Sequence, residues 1–339
     1  MPSLRRRLVR AFSSLPTPLL RGLAGGTTTV EGQELDVQLA AALRFADLVG
    51  GRFEQLEPVR ARVRSAALLA LTEPDAPLMA HVHDERGPGG VPVRVFVPRD
   101  AGGGLIGFFH GGGGVIGSVA SYDGFARTLA VRSGHAVASV DYRLAPEHPH
   151  PAAIDDALAV WPWLVAQAAR WGCDPQRVAV TGDSFGGFLA MQVARAVVAK
   201  PRLAALLYPL FDLTLSSPSY QTFAEGFGLT LPMVEYFRRH YAPDPSTHRA
   251  ASPLFWPALR GLPPILVVTA GFDPLRDEGF AMVRRLREAA VPVEHVVHAG
   301  LIHGFIQLTN GCAAADLAVT QIADALGAAV AGGRGTHRA

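Results

Sequence analysis

The sequence predicts an α/β fold: a mostly parallel central sheet with helices on both faces and a helical cap. Three observations carry this expectation. From about residue 80 onward, short apolar runs alternate with windows of helical periodicity, the pattern of strands and crossover helices. Leu105–Phe109, fed by glycines, is apolar at every position rather than at alternate ones, as a strand buried on both faces must be. Hydrophobic residues make up 49% of the 339-residue chain and charged residues 18%, enough apolar content to bury a large core.

In chain order, residues 1–78 read as N-terminal cap helices, with apolar and polar residues mixed at helical spacing from Leu35 to Leu71. Residues 79–339 form the main domain. His81–Asp84 and Val91–Val97 flank Gly87-Pro88-Gly89-Gly90, which reads as an antiparallel hairpin. Buried strands follow at Leu105–Phe109, Ala136–Val140, Val178–Thr181, Leu203–Tyr208, Ile265–Thr269 and Val293–Val297. Helices are expected at Ala152–Arg170, Gly187–Ala199 and Glu278–Ala290; in the last, Phe280, Val283 and Leu286 form the apolar stripe. Residues 212 to about 257 break the rhythm with aromatics, prolines and a short helix near Met233–Tyr241. An interruption that long is usually functional. Its first part, about 212–245, is expected to join the N-terminal helices as a lid over the C-terminal sheet edge, where open α/β folds bind ligands. A Gly/Arg/Ala tail begins after about Ala328.

Composition excludes several classes of function. The 31 basic and 29 acidic residues leave a charge of +2, far too small for a nucleic-acid footprint. Cys173 and Cys312 have neither disulfide-framework nor zinc-ligand spacing and read as apolar filler. No run of eighteen apolar residues exists, so no spanning helix is expected. Residues 1–30 hold five arginines and no acid, but Arg10, Pro16, Pro18 and Arg21 interrupt any secretory apolar core. Helices packed over the main domain are expected there, and weak membrane-surface contact is the most that the basic N-terminus supports. Cytoplasmic residence is the default expectation, and a homodimer is left open.

The chemistry-bearing feature is Gly182-Asp183-Ser184-Phe185-Gly186, directly after one expected strand and before an expected helix. GxSxG in that setting is a nucleophile elbow, a tight turn that lifts the serine hydroxyl above the sheet edge. A serine needs a base, and the base needs an orienting acid. In elbow enzymes the order along the chain is serine, acid, histidine. Asp273 lies just past the strand Ile265–Thr269, with Asp277 as a rival four residues on. His303 follows the strand Val293–Val297 in a loop, with His295 and His298 as rivals within or at the end of that strand. Position favours Asp273 and His303.

His110-Gly111-Gly112-Gly113-Gly114 follows Leu105–Phe109. Acyl transfer builds charge on a carbonyl oxygen, and backbone amides freed by glycines can stabilise it. The N–H after the nucleophile, on Phe185, is the expected partner donor. One rival reading is a dinucleotide fingerprint, Gly112-Gly113-Gly114-Val115-Ile116-Gly117 with Asp141 at the end of the next strand. It leaves Ser184, Asp273 and His303 without a role, and the upstream hairpin means this strand does not open the sheet.

At this point the sequence resembles the hormone-sensitive-lipase-like (bacterial family IV) esterases of the α/β-hydrolase superfamily. The matching stretches are His110–Gly114, Asp141–Pro149, Gly182–Gly187, Asp273–Gly279 and His303-Gly304-Phe305, in the family's order over roughly residues 80–310. The resemblance implies an α/β-hydrolase fold and a serine carboxylesterase with Ser184, Asp273 and His303 as triad. It also implies oxyanion donors on Gly112, Gly113 and Phe185, a small-molecule ester substrate of short to medium acyl chain, and no metal or organic cofactor. Amidase and thioesterase chemistry use the same constellation and stay open. Plant gibberellin receptors resemble this family but lack the base histidine, whereas His303 is present here. One position departs from the family: Phe185 stands where alanine is usual, and its ring is expected to narrow the pocket beside Ser184. Asp141, Arg143 and Glu147 are expected to brace the site from behind.

Overall fold

A computed structural model of the protein describes residues 4–49, 52–72 and 75–332, so the end of the Gly/Arg/Ala tail lies outside the described residues. The N-terminal region contains α1 (Leu4–Ser13), α2 (Thr17–Ala24), a small hairpin of β1 (Thr29–Val30) and β2 (Gln33–Glu34), α3 (Val37–Val49) and α4 (Pro58–Thr72). The main sheet is built from β3 (His81–Arg86), β4 (Pro92–Val97), β5 (Leu105–Phe109), β6 (Ala136–Val140), β7 (Val178–Asp183), β8 (Ala204–Leu207), β9 (Ile265–Phe272) and β10 (Val293–Ile302). The helices between and after these strands are α5 (Asp123–Ser133), α6 (Ala152–Gln167), α7 (Phe185–Ala196), the single-turn α8 (Ser219–Thr222), α9 (Leu231–Tyr241), the single-turn α10 (His248–Ala251), α11 (Arg276–Glu288) and α12 (Ala313–Val330).

The strand order is β10-β9-β8-β7-β5-β6-β4-β3. β4 pairs antiparallel with both β3 and β6, while β5 to β10 run parallel to one another. Every residue of β5, β6, β7, β8 and β9 is buried, which is why their sequences run apolar without alternation apart from Ser139, Thr181, Asp183 and Thr269. One face packs on α6, α7 and α11 through residues such as Trp161, Phe188 and Leu286. The other packs on α5 and α12 through Phe125, Leu129, Val319 and Ile322. By length and composition alone α12 is apolar enough to cross a bilayer. Its stripe of Ala315, Ala318, Val319, Ile322, Leu326 and Val330 is instead spent on the sheet and α5.

Because β5 to β10 are parallel, the loops after β5, β7, β8, β9 and β10 all leave the same sheet edge. The N-terminal hairpin lies against that edge, where Asp36 N–H donates to Gly300 O at 2.9 Å. Arg276, at the start of α11, reaches Glu31 at 2.8 Å. The sequence carried no signal for this hairpin: its strands hold four residues, only Val30 of them apolar, and it sits between two helical stretches.

Candidate active site

The elbow forms where β7 turns into α7. Ser184 sits between them with φ 54° and ψ −117°, a left-handed conformation that costs a non-glycine residue about 1–3 kcal/mol. The fold holds it there, with Ser184 N–H donating to Leu207 O at 2.8 Å and Leu210 N–H donating to Ser184 O at 3.1 Å. Tightness explains Gly186: a Cβ at that position would lie 1.9 Å from Phe109 O, inside bonding contact with the neighbouring strand.

β9 delivers Asp273 and β10 delivers His303 to the same place. His303 Nδ1 is 2.8 Å from Asp273 Oδ2, and His303 Nε2 is 2.9 Å from Ser184 Oγ. A carboxylate can only accept, so Nδ1 carries the proton and Nε2 is left to accept from the serine hydroxyl. Asp273 is 1% exposed, and its other oxygen accepts from Leu275 N–H at 2.8 Å, which fixes the carboxylate plane. The rival residues lie elsewhere. Asp277 pairs with Arg276 at 2.8 Å, His295 meets Thr269 Oγ1 at 3.0 Å, and His298 packs against Phe305.

Beside Ser184 lies the loop after β5. Gly112 and Gly113 adopt φ of 119° and 61°, and within the described residues neither amide donates a hydrogen bond. Phe185 opens α7, where no preceding turn supplies its N–H with an acceptor. These three amides are available to an oxyanion. His110 behind them is buried, with its imidazole pKa pushed down by burial, and stacks on Tyr142 at 4.4 Å.

An apolar cavity of about 510 Å³ opens over Ser184 and His303. Val9 and Phe12 of α1, Leu39 and Leu43 of α3, and Leu68 and Leu69 of α4 line one side. Leu213, Leu215, Met233 and Phe237 of the 212–257 insertion line the other. The root of the insertion is held by Glu278, fully buried on α11: it accepts from Phe211 N–H at 2.5 Å and from Tyr220 Oη–H at 2.8 Å. Burial pushes its carboxyl pKa well above the usual range.

One expectation needs correcting. The Phe185 side chain is fully buried. It packs edge-on to Tyr241 at 4.6 Å and against Phe188 at 5.3 Å, beneath the glycine loop. The backbone direction that leaves its amide unpaired beside Ser184 also turns its ring into the core. Phe185→Ala is therefore expected to destabilise the fold by about 3–5 kcal/mol, as core Phe truncations do, and to leave the chain-length profile unchanged. Chemical denaturation and an ester ladder on the variant would check both halves. The expected brace is present, each of its three residues held by a partner outside the trio. Arg143 pairs with Asp156 at 2.7 Å, Asp141 accepts from Val119 N–H at 3.0 Å, and Glu147 pairs with Arg62 at 2.6 Å. Arg62, on α4, also donates to Val115 O and Ala145 O, and nothing local in the sequence marked it. It ties the N-terminal helices to the loops behind the site. The Glu147 carboxyl is held down to about 2 by the Arg62 hydrogen bond. Whatever stability the half-exposed pair adds is present above the ordinary carboxylate pKa and lost as pH falls toward about 2; for such pairs it is at most about 1 kcal/mol.

A serine, an imidazole and a buried carboxylate in series, beside unpaired amides at the C-terminal edge of a parallel sheet, can carry out acyl transfer. Comparison with known proteins agrees with that class. The model of an alpha/beta hydrolase fold family matches residues 106–307. The carboxylic ester hydrolase LipN of Mycobacterium tuberculosis is 36% identical over 329 residues, covering 90% of this chain and 87% of that protein. The ethyl acetate hydrolase of Pseudomonas putida is 38% identical over 248 residues, 70% of this chain and 78% of that one. Among solved structures, an ester hydrolase from the Lake Arreo metagenome, complexed with a bipyridine phosphonate derivative, superposes with a TM-score of 0.82. It is 35% identical, over 87% of this chain and 98% of that one. The chain belongs to the hormone-sensitive-lipase-like esterases of the α/β-hydrolase fold, and it is a carboxylic ester hydrolase.

Proposed function

We propose that the protein hydrolyses esters of short to medium acyl chains through a covalent acyl-enzyme on Ser184. The observation that carries this reading is the unbroken series Asp273–His303–Ser184 at the floor of an apolar cavity. Ser184 Oγ attacks the ester carbonyl as its proton passes to His303 Nε2, and Asp273 stabilises the imidazolium that results. The amides of Gly112, Gly113 and Phe185 take the developing oxyanion. His303 returns the proton to the leaving alcohol, and the C–O bond breaks. Water then repeats the sequence: it loses a proton to His303, adds to the acyl carbonyl, and releases the acid with Ser184 restored.

The apolar lining supports an acyl or alcohol chain in the cavity, and the Pseudomonas putida relative is named for a short ester. On a ladder of p-nitrophenyl esters from C2 to C16 the optimum is expected at C4–C6, with a fluorophosphonate labelling Ser184 rapidly. An optimum at C12 or beyond, or slow labelling of the wild type, would overturn the reading.

The N-terminal helices serve the pocket rather than a membrane on this reading. Deleting residues 1–30 removes Val9 and Phe12 from the cavity wall. The truncated protein is expected to remain soluble and to lose about tenfold in kcat/KM, most on the longer chains, as for other lost apolar pocket contacts. Full-length protein is expected to co-sediment only weakly with liposomes at physiological salt. Strong binding that vanishes on deletion would assign the basic helix to a lipid surface instead.

A further inference from the structure

The elbow places a second carboxylate next to the nucleophile, and the proposed acyl-enzyme cycle has not used it. Asp183 is 2% exposed. Its Oδ1 accepts from Gly111 N–H at 2.7 Å, and its Oδ2 lies 3.2 Å from Tyr122 Oη and 3.4 Å from Tyr208 Oη. These partners belong to three different parts of the site. Gly111 begins the loop that presents the Gly112 and Gly113 amides, Tyr122 lies just before α5, and Tyr208 follows β8 with its ring 4.8 Å from the His303 ring. One side chain thus ties the oxyanion loop to the elbow and, through Tyr208, to the wall behind the base.

We propose that Asp183 is a positioning residue for ester hydrolysis: its carboxylate locks the oxyanion loop onto the nucleophile elbow and holds negative charge near His303. The proposal rests on the acyl-enzyme reading above. If the only task were to satisfy Gly111 N–H, a neutral amide oxygen would serve without placing a charge in the core. The charge therefore has a use of its own. In the step that protonates His303, a second carboxylate stabilises the imidazolium alongside Asp273. Burial pushes the Asp183 carboxyl up to about 6, while the Gly111 amide and the His303 charge oppose that rise. The other groups packed around it do not change charge in the working range. Burial first, and the Asp183 charge second or later, raises the phenols of Tyr122, Tyr142 and Tyr208 well above their ordinary value. Burial likewise holds down the pKa of His110, which is stacked on Tyr142. Asp183 is left as the group among them whose protonation adds to the acid side of the pH profile.

The test is Asp183→Asn, which keeps an oxygen for Gly111 N–H, removes the charge and turns the acceptor facing Tyr122 and Tyr208 into an amide donor. Active sites are counted by the p-nitrophenolate burst or by fluorophosphonate labelling, so kcat refers to folded enzyme alone. The expected result is a kcat lower by roughly ten- to a hundredfold, the size of one charge-assisted contact, with KM within about twofold. The acid limb of log kcat against pH is expected to move to lower pH and to fall from a two-proton toward a one-proton slope. Either readout left at its wild-type value overturns the proposal. If Asp183→Asn yields no titratable sites, Tyr122→Phe supplies the same test. It leaves the carboxylate but removes a donor, so the second proton should bind at higher pH, and an unchanged limb overturns the idea. Failure of the wild type to label at Ser184 would instead count against the acyl-enzyme reading.

Discussion

Ser184→Ala and His303→Ala are each expected to lower kcat by a factor on the order of 10⁶, and the double variant is expected to be no worse than either alone. The geometry gives the reason. His303 Nε2 is 2.9 Å from Ser184 Oγ, so removing either group ends the proton transfer that makes the serine a nucleophile. What remains is the rate due to the oxyanion amides and binding, which both single variants share. Asp273→Asn is expected to cost about 10⁴-fold, because an amide nitrogen facing Nδ1 favours the tautomer that puts the proton on Nε2, opposite Ser184. Asp277→Asn separates the two candidate acids. Asp277 bonds Arg276 rather than His303, so its variant should keep nearly full turnover. Single-turnover kinetics with a p-nitrophenyl ester would measure all five, and retained turnover in Ser184→Ala would remove the nucleophile from this role.

Gly112→Ala is expected to lose at least about 10²–10³-fold in kcat, the typical effect of losing one oxyanion donor. A Cβ at Gly112 would lie 2.2 Å from Ile116 O, and its φ of 119° is one that alanine adopts only under strain. Both obstacles are backbone, so no side-chain rotation relieves them and the loop itself must move. Val115 and Ile116 N–H both donate to Gly112 O at 3.0 Å, so the turn that orients the Gly113 amide moves with it. KM should change much less than kcat, because the oxyanion exists only in the transition state. A kcat within threefold of wild type would show that the loop amides are not the oxyanion donors.

Much of this molecule is legible before any coordinate is known. The buried parallel strands announce themselves because a strand covered on both faces reads as a near-continuous apolar run, as at Leu105–Phe109 and, apart from Ser139, at Ala136–Val140, where expected and observed bounds coincide. The elbow, the glycine loop and the order of serine, acid and histidine are local patterns, and short-range steric demands write them into the sequence. Strand ends are not local. Ile265–Thr269 runs on to Phe272 and Val293–Val297 runs on to Ile302, because pairing across the bulge that brings Ile302 opposite Phe272 carries both strands through residues that read as loop. Those added residues are what bring Asp273 and His303 within reach of each other.

Position along the chain favours Asp273 and His303, but only the tertiary structure brings them to 2.8 Å and turns Asp277 to Arg276. It alone turned the Phe185 ring into the core. Asp183 was visible as a letter in a motif, but its partners lie 72, 61 and 25 residues away in the chain, at Gly111, Tyr122 and Tyr208. Arg62 and Glu147 are 85 residues apart. Periodicity and turn chemistry constrain a residue through its near neighbours. A buried polar side chain is satisfied by whatever the sheet order and the packed helices bring to it, and that assignment exists only once the chain has folded.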